Sequence, residues 1–280
     1  MSTKSTHQST EKARPSSTRG KRIMVIPDTQ VRPGVNTDHL EWAGRYAVKM
    51  KPDVIVHLGD HADFPSLSTW DKKGGKHMEG KRIMADFDSA NDAWARLNAP
   101  IDKEIARLKK GKRRAWDVRR VITLGNHEDR VTRFVNSDAA WDGVIDLDML
   151  DYERSGWEVY PYLSPCEIEG IAFVHYVTSG VMGRSITSAR AGLTKRHQSF
   201  VQGHVQTRDI AETSDVLGRR RIGLMAGIFY SHEESYLTSQ TGTDTTWSGI
   251  WMLHDCHEGQ FDYMPVSYAY LQDKYGHGKA

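Results

Sequence analysis

Several features are scarce in this chain of 280 residues, and each scarcity excludes a class of protein. Only two cysteines occur, Cys166 and Cys256. They lie far apart in sequence and cannot build a disulfide framework, so free thiols in a reducing compartment are expected. No stretch approaches the ~18 consecutive apolar residues of a spanning helix, and the N-terminus lacks the apolar core of a secretory signal. The expectation is a cytoplasmic protein with no membrane partner. Charge of one sign is in little excess: the net charge of +2 and pI near 8.4 are too mild to argue nucleic-acid binding alone. Large apolar side chains are nearly missing from Met1 to Arg19, so this stretch cannot offset the entropy of ordering. We read residues 1–20 as a disordered basic tail and 21–280 as a single domain, with no internal repeat. Its 38% hydrophobic content and mean hydropathy of -0.59 suit a water-soluble chain with a sizeable core.

What is present is a series of short apolar runs that end in polar residues. RIMVIP (Arg22 to Pro27) reads as a buried strand delivering Asp28 to a loop, and DVIVHLGD (Asp53 to Asp60) as a second. Between them Leu40, Ala43, Ala47 and Met50 share one helical face, and Asp38 with Glu41 resembles a capping box. The opening is therefore β-α-β, with parallel strands. A basic helical insertion is expected over about 65–118. Within it Phe64 to Gly80 looks like a loop carrying Lys72, Lys73, Lys76 and His77. Met84, Phe87, Trp94 and Leu97 follow at helical spacing, and a further helical segment follows Pro100. RRVITLGN (Arg119 to Asn126) is a third strand. Residues 128–170 read as helix or loop. IAFVHYV (Ile171 to Val177) holds His175 within a fourth apolar run, and SFVQGHVQT (Ser199 to Thr207) repeats the pattern with His204. Three β-rich runs close the chain.

Asp28, Asp60, Asn126, His175 and His204 thus come from strands or strand ends. In an open α/β architecture the crevice outside the carboxyl ends of the strands is where ligands bind. Carboxylate, amide oxygen and imidazole suit divalent ions such as Mn, Fe(II) or Zn. A pair of ions ~3.5–4 Å apart can orient a phosphate and stabilise the leaving oxygen of an in-line displacement.

On the blocks DTQ (Asp28 to Gln30), GDHAD (Gly59 to Asp63), GNHE (Gly125 to Glu128), His175 and GHVQ (Gly203 to Gln206), the chain resembles the calcineurin-like metallophosphoesterases. That family's pattern is D-x-H, G-D-x-x-D, G-N-H-D/E, an isolated H and G-H-x-H. All five blocks stand in order across residues 22–207, which is more specific than any one motif. The resemblance implies an α/β fold, a four-layer α-β-β-α sandwich of two mixed sheets flanked by helices. It also implies two divalent metal ions, with Mn(II) first and Fe(II), Ni(II), Mg(II) or Zn(II) as alternatives, and a metal-bridging hydroxide as nucleophile. By analogy Asp60 bridges the metals, Asp28, Gln30 and Gln206 serve one, and Asn126, His175 and His204 serve the other. His127 is implied as general acid or phosphate partner, charged and held by Asp63. Gln30 and Gln206 depart from the commonest pattern, which has histidines there. An amide oxygen is a harder and weaker donor than imidazole, so that site should favour Mn(II) or Mg(II) over Zn(II).

Each residue alone has a plain reading: Asp28 or Asn126 as a helix cap, His175 as a satisfied core histidine. Such readings do not account for five ordered blocks together. His57 and His61 match no ligand position and read as structural, and HDCHE (His254 to Glu258) reads as a polar turn between strands. Arg130 and Arg133 follow GNHE at helical spacing and either clamp a phosphate or make surface ion pairs. Trp42, Trp70, Trp94 and Trp116 read as packing residues. A basic run between Lys103 and Arg120 precedes the strand bearing Asn126. With the basic tail it favours phosphodiesters, a nucleotide or nucleic-acid partner included. A phosphomonoesterase or protein phosphatase is the alternative, and a non-enzymatic binding module with a degraded metal site the third reading. Oligomeric state is not legible.

Overall fold

The computed structural model describes residues 20–68, 78–232 and 246–276. The expected tail, Trp70 and the Lys72, Lys73, Lys76 and His77 cluster lie outside these residues. Four strands run parallel in the first sheet: β1 (Lys21–Ile26), β2 (Val54–His57), β3 (Arg119–Thr123) and β4 (Glu158–Tyr160). The second sheet holds β5 (Cys166–Ile168), β6 (Ile171–Val174), β9 (Phe200–Gln202), β10 (Arg208–Ser214) and β11 (Arg220–Ala226), in the order β10-β11-β9-β6-β5. A small hairpin, β7 (Thr178–Ser179) with β8 (Arg184–Ser185), stands apart from both. β12 (Gly249–His257) and β13 (Gln260–Ser267) complete the first sheet, β12 lying antiparallel to β1.

Period-2 alternation sorts the strand residues into layers. Ile23, Val25, Val54, Val56 and Val121 face the second sheet and meet Ile168, Phe173, Val201, Ile222 and Leu224 there. The intervening Met24, Ile26, Ile55 and Ile122 face outward and pack against α1 (Asp38–Met50) and α2 (Ile83–Lys110). On the far side α4 (Ala189–Arg196) covers the second sheet through Ala189 and Leu193 against Phe200, Ala211 and Met225. The layers are therefore helix, sheet, sheet, helix, as the resemblance implied.

Several local expectations are corrected. Thr37 occupies the N-cap of α1 without a side-chain bond, and Asn36 Oδ1 accepts from the Asp38 N–H at 2.8 Å. Asp38 is already helical, so Asp38 and Glu41 form no capping box. Pro100 does not break α2, which runs through it. A Cβ on Gly44 would meet the Leu97 carbonyl and the Pro100 ring, so a bare glycine in α1 lets the helices close at the proline. The region expected as helix or loop contains α3 (Asp129–Ser137), β4 and β5, strands of three residues each, too short to show a period. His175 lies one position beyond β6 rather than inside a strand.

The basic run is also corrected. Trp116 Nε1 donates to the Pro52 carbonyl and the Arg119 N–H to that of Asp53, which fixes the run at the N-terminal edge of β2 and β3. Asn126 and His127 lie past the opposite end. Arg120, Arg107 and Arg119 are committed to Asp102, Glu104 and Glu158. The run therefore does not flank the strand-end crevice.

Candidate metal centre

The loops leaving β1 and β2 are zipped together by main-chain bonds. Thr29 and Gln30 N–H both donate to the Asp60 carbonyl at 3.1 and 2.9 Å, and Val31 N–H to that of His61 at 2.7 Å. Below them Thr29 Oγ1 lies 2.8 Å from His61 Nδ1 and 3.3 Å from His57 Nε2, while His61 Nε2 meets the Ala90 carbonyl at 3.0 Å. Thr29 thus joins two buried histidines into a polar chain that pins the loops to α2. Burial lowers both their pKa values, that of His61 to about 4, so the neutral rings serve as structural hydrogen-bond partners.

Glu128 is a residue that sequence reasoning left without a role. Its fully buried carboxylate accepts from the main-chain N–H of Asp60, His61, Ala62 and Gly125 at 2.9, 2.7, 3.1 and 2.8 Å, and from Tyr152 Oη at 3.3 Å. It binds the loop after β2 to the loop after β3. Its place in the block GNHE was a signal, but the four donors it gathers lie mostly more than 60 positions away.

On this frame the side chains converge. His175 Nδ1 is 2.9 Å from the Leu58 carbonyl, which makes it the donor and aims Nε2 inward. Around Nε2 stand Asn126 Oδ1 at 2.9 Å, His204 Nδ1 at 3.2 Å and Asp60 Oδ2 at 3.3 Å. Asp60, His175 and His204 form the one cluster among the described residues whose ligand atoms lie within 4.8 Å of each other. Asp28 faces the same space, its carboxylate held by the His204 N–H at 2.9 Å. Gly125 and Gly203 make room, because a Cβ on either would collide with Oδ1 of Asp60 or Asp28.

The donor set fits divalent ions. Gln30, 3% exposed, holds Oε1 buried with no hydrogen-bond partner, a costly arrangement in an apoprotein and a natural one for a metal ligand. Gln30, Asp60 and His204 all have positive φ, at 40, 46 and 63°, an uncommon conformation for residues with a Cβ. Electrostatics agree. Burial pushes Asp28 up to about 7, and Asp60 adds to the rise. Burial disfavours a charged His175, but Asp60 overrides it and raises that imidazole to about 9. His204 is lowered to about 4 by burial and by His175. Asp28 thus resists ionisation, whereas His127 and His175 hold Asp60 ionised against its burial, a crowding of like and unlike charge that a bound cation would relieve.

His127 stands at the rim. Nδ1 lies 2.9 Å from Asp63 Oδ1 and 3.1 Å from the Asp63 carbonyl, and its main-chain N–H donates to Asp60 Oδ1 at 2.9 Å. Arg130 reaches the Asp63 carbonyl at 2.6 Å through Nη1 and His127 Nε2 at 3.1 Å through Nη2. Arg32 approaches Asp63 Oδ2 at 3.3 Å. Burial opposes charge on His127, yet Asp60 and Asp63 outweigh it and Arg130, and the pKa rises. The Arg130 contact belongs to the neutral imidazole, and protonation at Nε2 would part the two groups. Arg133, by contrast, pairs with Asp129 at 2.9 Å on an exposed face. Gln206 follows His204 on the same loop, its carbonyl accepting from Trp247 at 3.2 Å.

Two comparisons bear on this site. The calcineurin-like phosphoesterase family model matches residues 21–244. The chain is also similar to two bacteriophage proteins, each called Gene 54 protein. That of Mycobacterium phage L5 is 30% identical over 146 residues, and that of Mycobacterium phage D29 is 33% identical over 146 residues. In both cases the match takes 50% of this chain and 51% of the relative, so the chain spans about half the length of the curated relatives it matches.

Proposed function

The chain belongs to the calcineurin-like phosphoesterases, and from that premise we propose that it is a metal-dependent phosphodiesterase. The observation that carries this reading is the convergence of Asn126 Oδ1, His204 Nδ1 and Asp60 Oδ2 on His175 Nε2, all within 3.3 Å. Asp60 would be the ligand shared by both ions. Asp28, Gln30 and Gln206 would hold one ion, and Asn126, His175 and His204 the other. The ions, with manganese preferred over Fe(II), Ni(II), Mg(II) and Zn(II), would supply positive charge for the phosphate and lower the pKa of the attacking water.

The remaining chemistry belongs to the chain. His127 lies over the cluster, 3.6 Å from Asp60 Oδ2 through Nε2, and Asp63 holds its Nδ1 so that Nε2 faces the substrate. We assign Nε2 the proton given to the leaving oxygen. Arg130 gives a phosphate oxygen a donor already in place beside that nitrogen, and taking this oxygen releases Nε2 from Arg130.

The test compares bis-p-nitrophenyl phosphate with p-nitrophenyl phosphate, using EDTA-stripped protein re-supplied with Mn(II). Faster turnover of the diester is expected. A strong preference for the monoester would make the protein a phosphomonoesterase, and silence on both with every divalent ion would leave a binding module.

A further inference from the structure

The basic run before β3 faces away from the strand-end crevice, but a second basic surface follows His175 in sequence. No Asp or Glu occurs between Glu169 and Asp209, a stretch that carries His175 and His204. Within it Arg184 on β8 and Arg190, Lys195 and Arg196 on α4 are all exposed. Lys195 donates to Ser179 Oγ and Arg196 to Thr178 Oγ1 at 3.0 Å, which are neutral partners. Glu169, the acid before this stretch, pairs with Lys21 at 2.7 Å, and Asp209, the acid after it, accepts from the Ala189 N–H at 2.7 Å. By contrast, Arg119 is matched by Glu158 and Arg221 by Asp215.

Folding accounts for only part of this charge. Lys195 and Arg196 in the last turn of α4 complement the helix dipole, whereas Arg190 in the first turn opposes it. The hairpin tip adds a second feature: Val181 is 104% and Met182 79% exposed, between Gly180 and Gly183 at φ 67 and 62°. Apolar tips framed by cations suit insertion among nucleobases. At the hairpin root, Tyr176 lies 4.6 Å from the His204 ring and bonds Tyr162 Oη at 2.6 Å. This half-buried ring beside the centre offers a stacking face.

We propose that hairpin β7–β8, α4 and Tyr176 grip a nucleic-acid strand whose backbone enters the candidate metal centre. The inference rests on the phosphodiesterase reading and names its substrate class. Val181 lies six positions beyond His175, so at most ~22 Å of chain separates them. At the ~3.4 Å per phosphate of one strand in a duplex, that reach covers about six phosphates, and fewer in an extended single strand. The hairpin tip is therefore within a few nucleotides of His175 along one strand.

The test is fluorescence anisotropy of a labelled 20-nucleotide phosphorothioate strand, single or in a duplex, titrated with the Mn(II)-loaded full chain at several salt concentrations. Wild type should bind the single strand more tightly than the duplex. The double variant Arg184→Ala/Arg190→Ala should bind more weakly, with a log K against log salt slope shallower by about 1.4. Arg184→Lys/Arg190→Lys should retain the wild-type slope. Tyr176→Leu should weaken the single strand and spare the duplex. Equal slopes and affinities in wild type and the alanine variant, or no binding at low salt, would overturn the inference and give this surface to a protein partner. Hydrolysis of bis-p-nitrophenyl phosphate by the same wild-type sample reports the parent reading separately: its persistence beside a failed binding result would sink the grip alone, and its absence with every metal would sink the phosphodiesterase.

Discussion

Asp63 Oδ1 lies 2.9 Å from His127 Nδ1, and this pairing leaves Nε2 toward Asp60 Oδ2 and Arg130. With Asp63 also beside Arg130 and Arg32, its carboxyl is held below the usual range despite burial, so it stays an acceptor and keeps the proton on Nδ1. Asp63→Asn should lower kcat by about 10–100-fold for esters with poor leaving groups and much less for p-nitrophenolate esters. A series of aryl diesters checks this through the dependence of rate on leaving-group pKa. An equal loss across the series would remove His127 from proton transfer.

Glu128→Gln should destabilise the fold by about 2–4 kcal/mol, because one of the two oxygens that accept from the four N–H groups becomes an NH2 donor. Tyr152→Phe removes one donor to the same carboxylate and should cost about 1 kcal/mol. Urea unfolding of the EDTA-treated protein measures both. A near-neutral Glu128→Gln would show that the two loops hold together without it.

Acid sensitivity should trace partly to His39. It is 2% exposed, packs edge-on at 5.0 Å to Phe229, and burial lowers its pKa to about 3. A histidine depressed in the folded state contributes stability above its unfolded pKa of ~6.5 and loses it as pH falls towards 3. Each such group steepens the decline by up to ~1.4 kcal/mol per pH unit. His39→Gln should therefore flatten unfolding free energy against pH below 6.5, and an unchanged slope would contradict this.

Metal removal should lower thermal stability. An ion at 100 times its Kd stabilises by about 2.7 kcal/mol, so EDTA should drop the wild-type Tm by several degrees and Mn(II) should restore it. Asp60→Asn, which removes a carboxylate from the Asp60, His175 and His204 cluster, should show neither response in differential scanning calorimetry.

The sequence carried the strand ends well, because β1, β2 and β3 are buried on both faces and read as continuous apolar runs ending in polar residues. Asp28, Asp60, Asn126, His175 and His204 were therefore legible as candidates, and the structure brings them to one space. The links that hold them were not. Glu128 gathers N–H groups from a loop distant in sequence, and main-chain donors carry no sequence signal. Thr29, His57 and His61 form a chain of contacts from three separate segments. β4 and β5, at three residues each, gave no period to read. The basic run before β3 misled because proximity in sequence to a strand does not say at which end of it a charge lies.

The most direct test of the account is to count Mn(II) ions bound per chain by isothermal titration calorimetry while following bis-p-nitrophenyl phosphate hydrolysis in the same preparation. The account predicts two ions per wild-type chain, with activity appearing as the sites fill, and loss of both binding and activity in Asp60→Asn. Diester hydrolysis that persists in EDTA, or in Asp60→Asn with no metal bound, would contradict it.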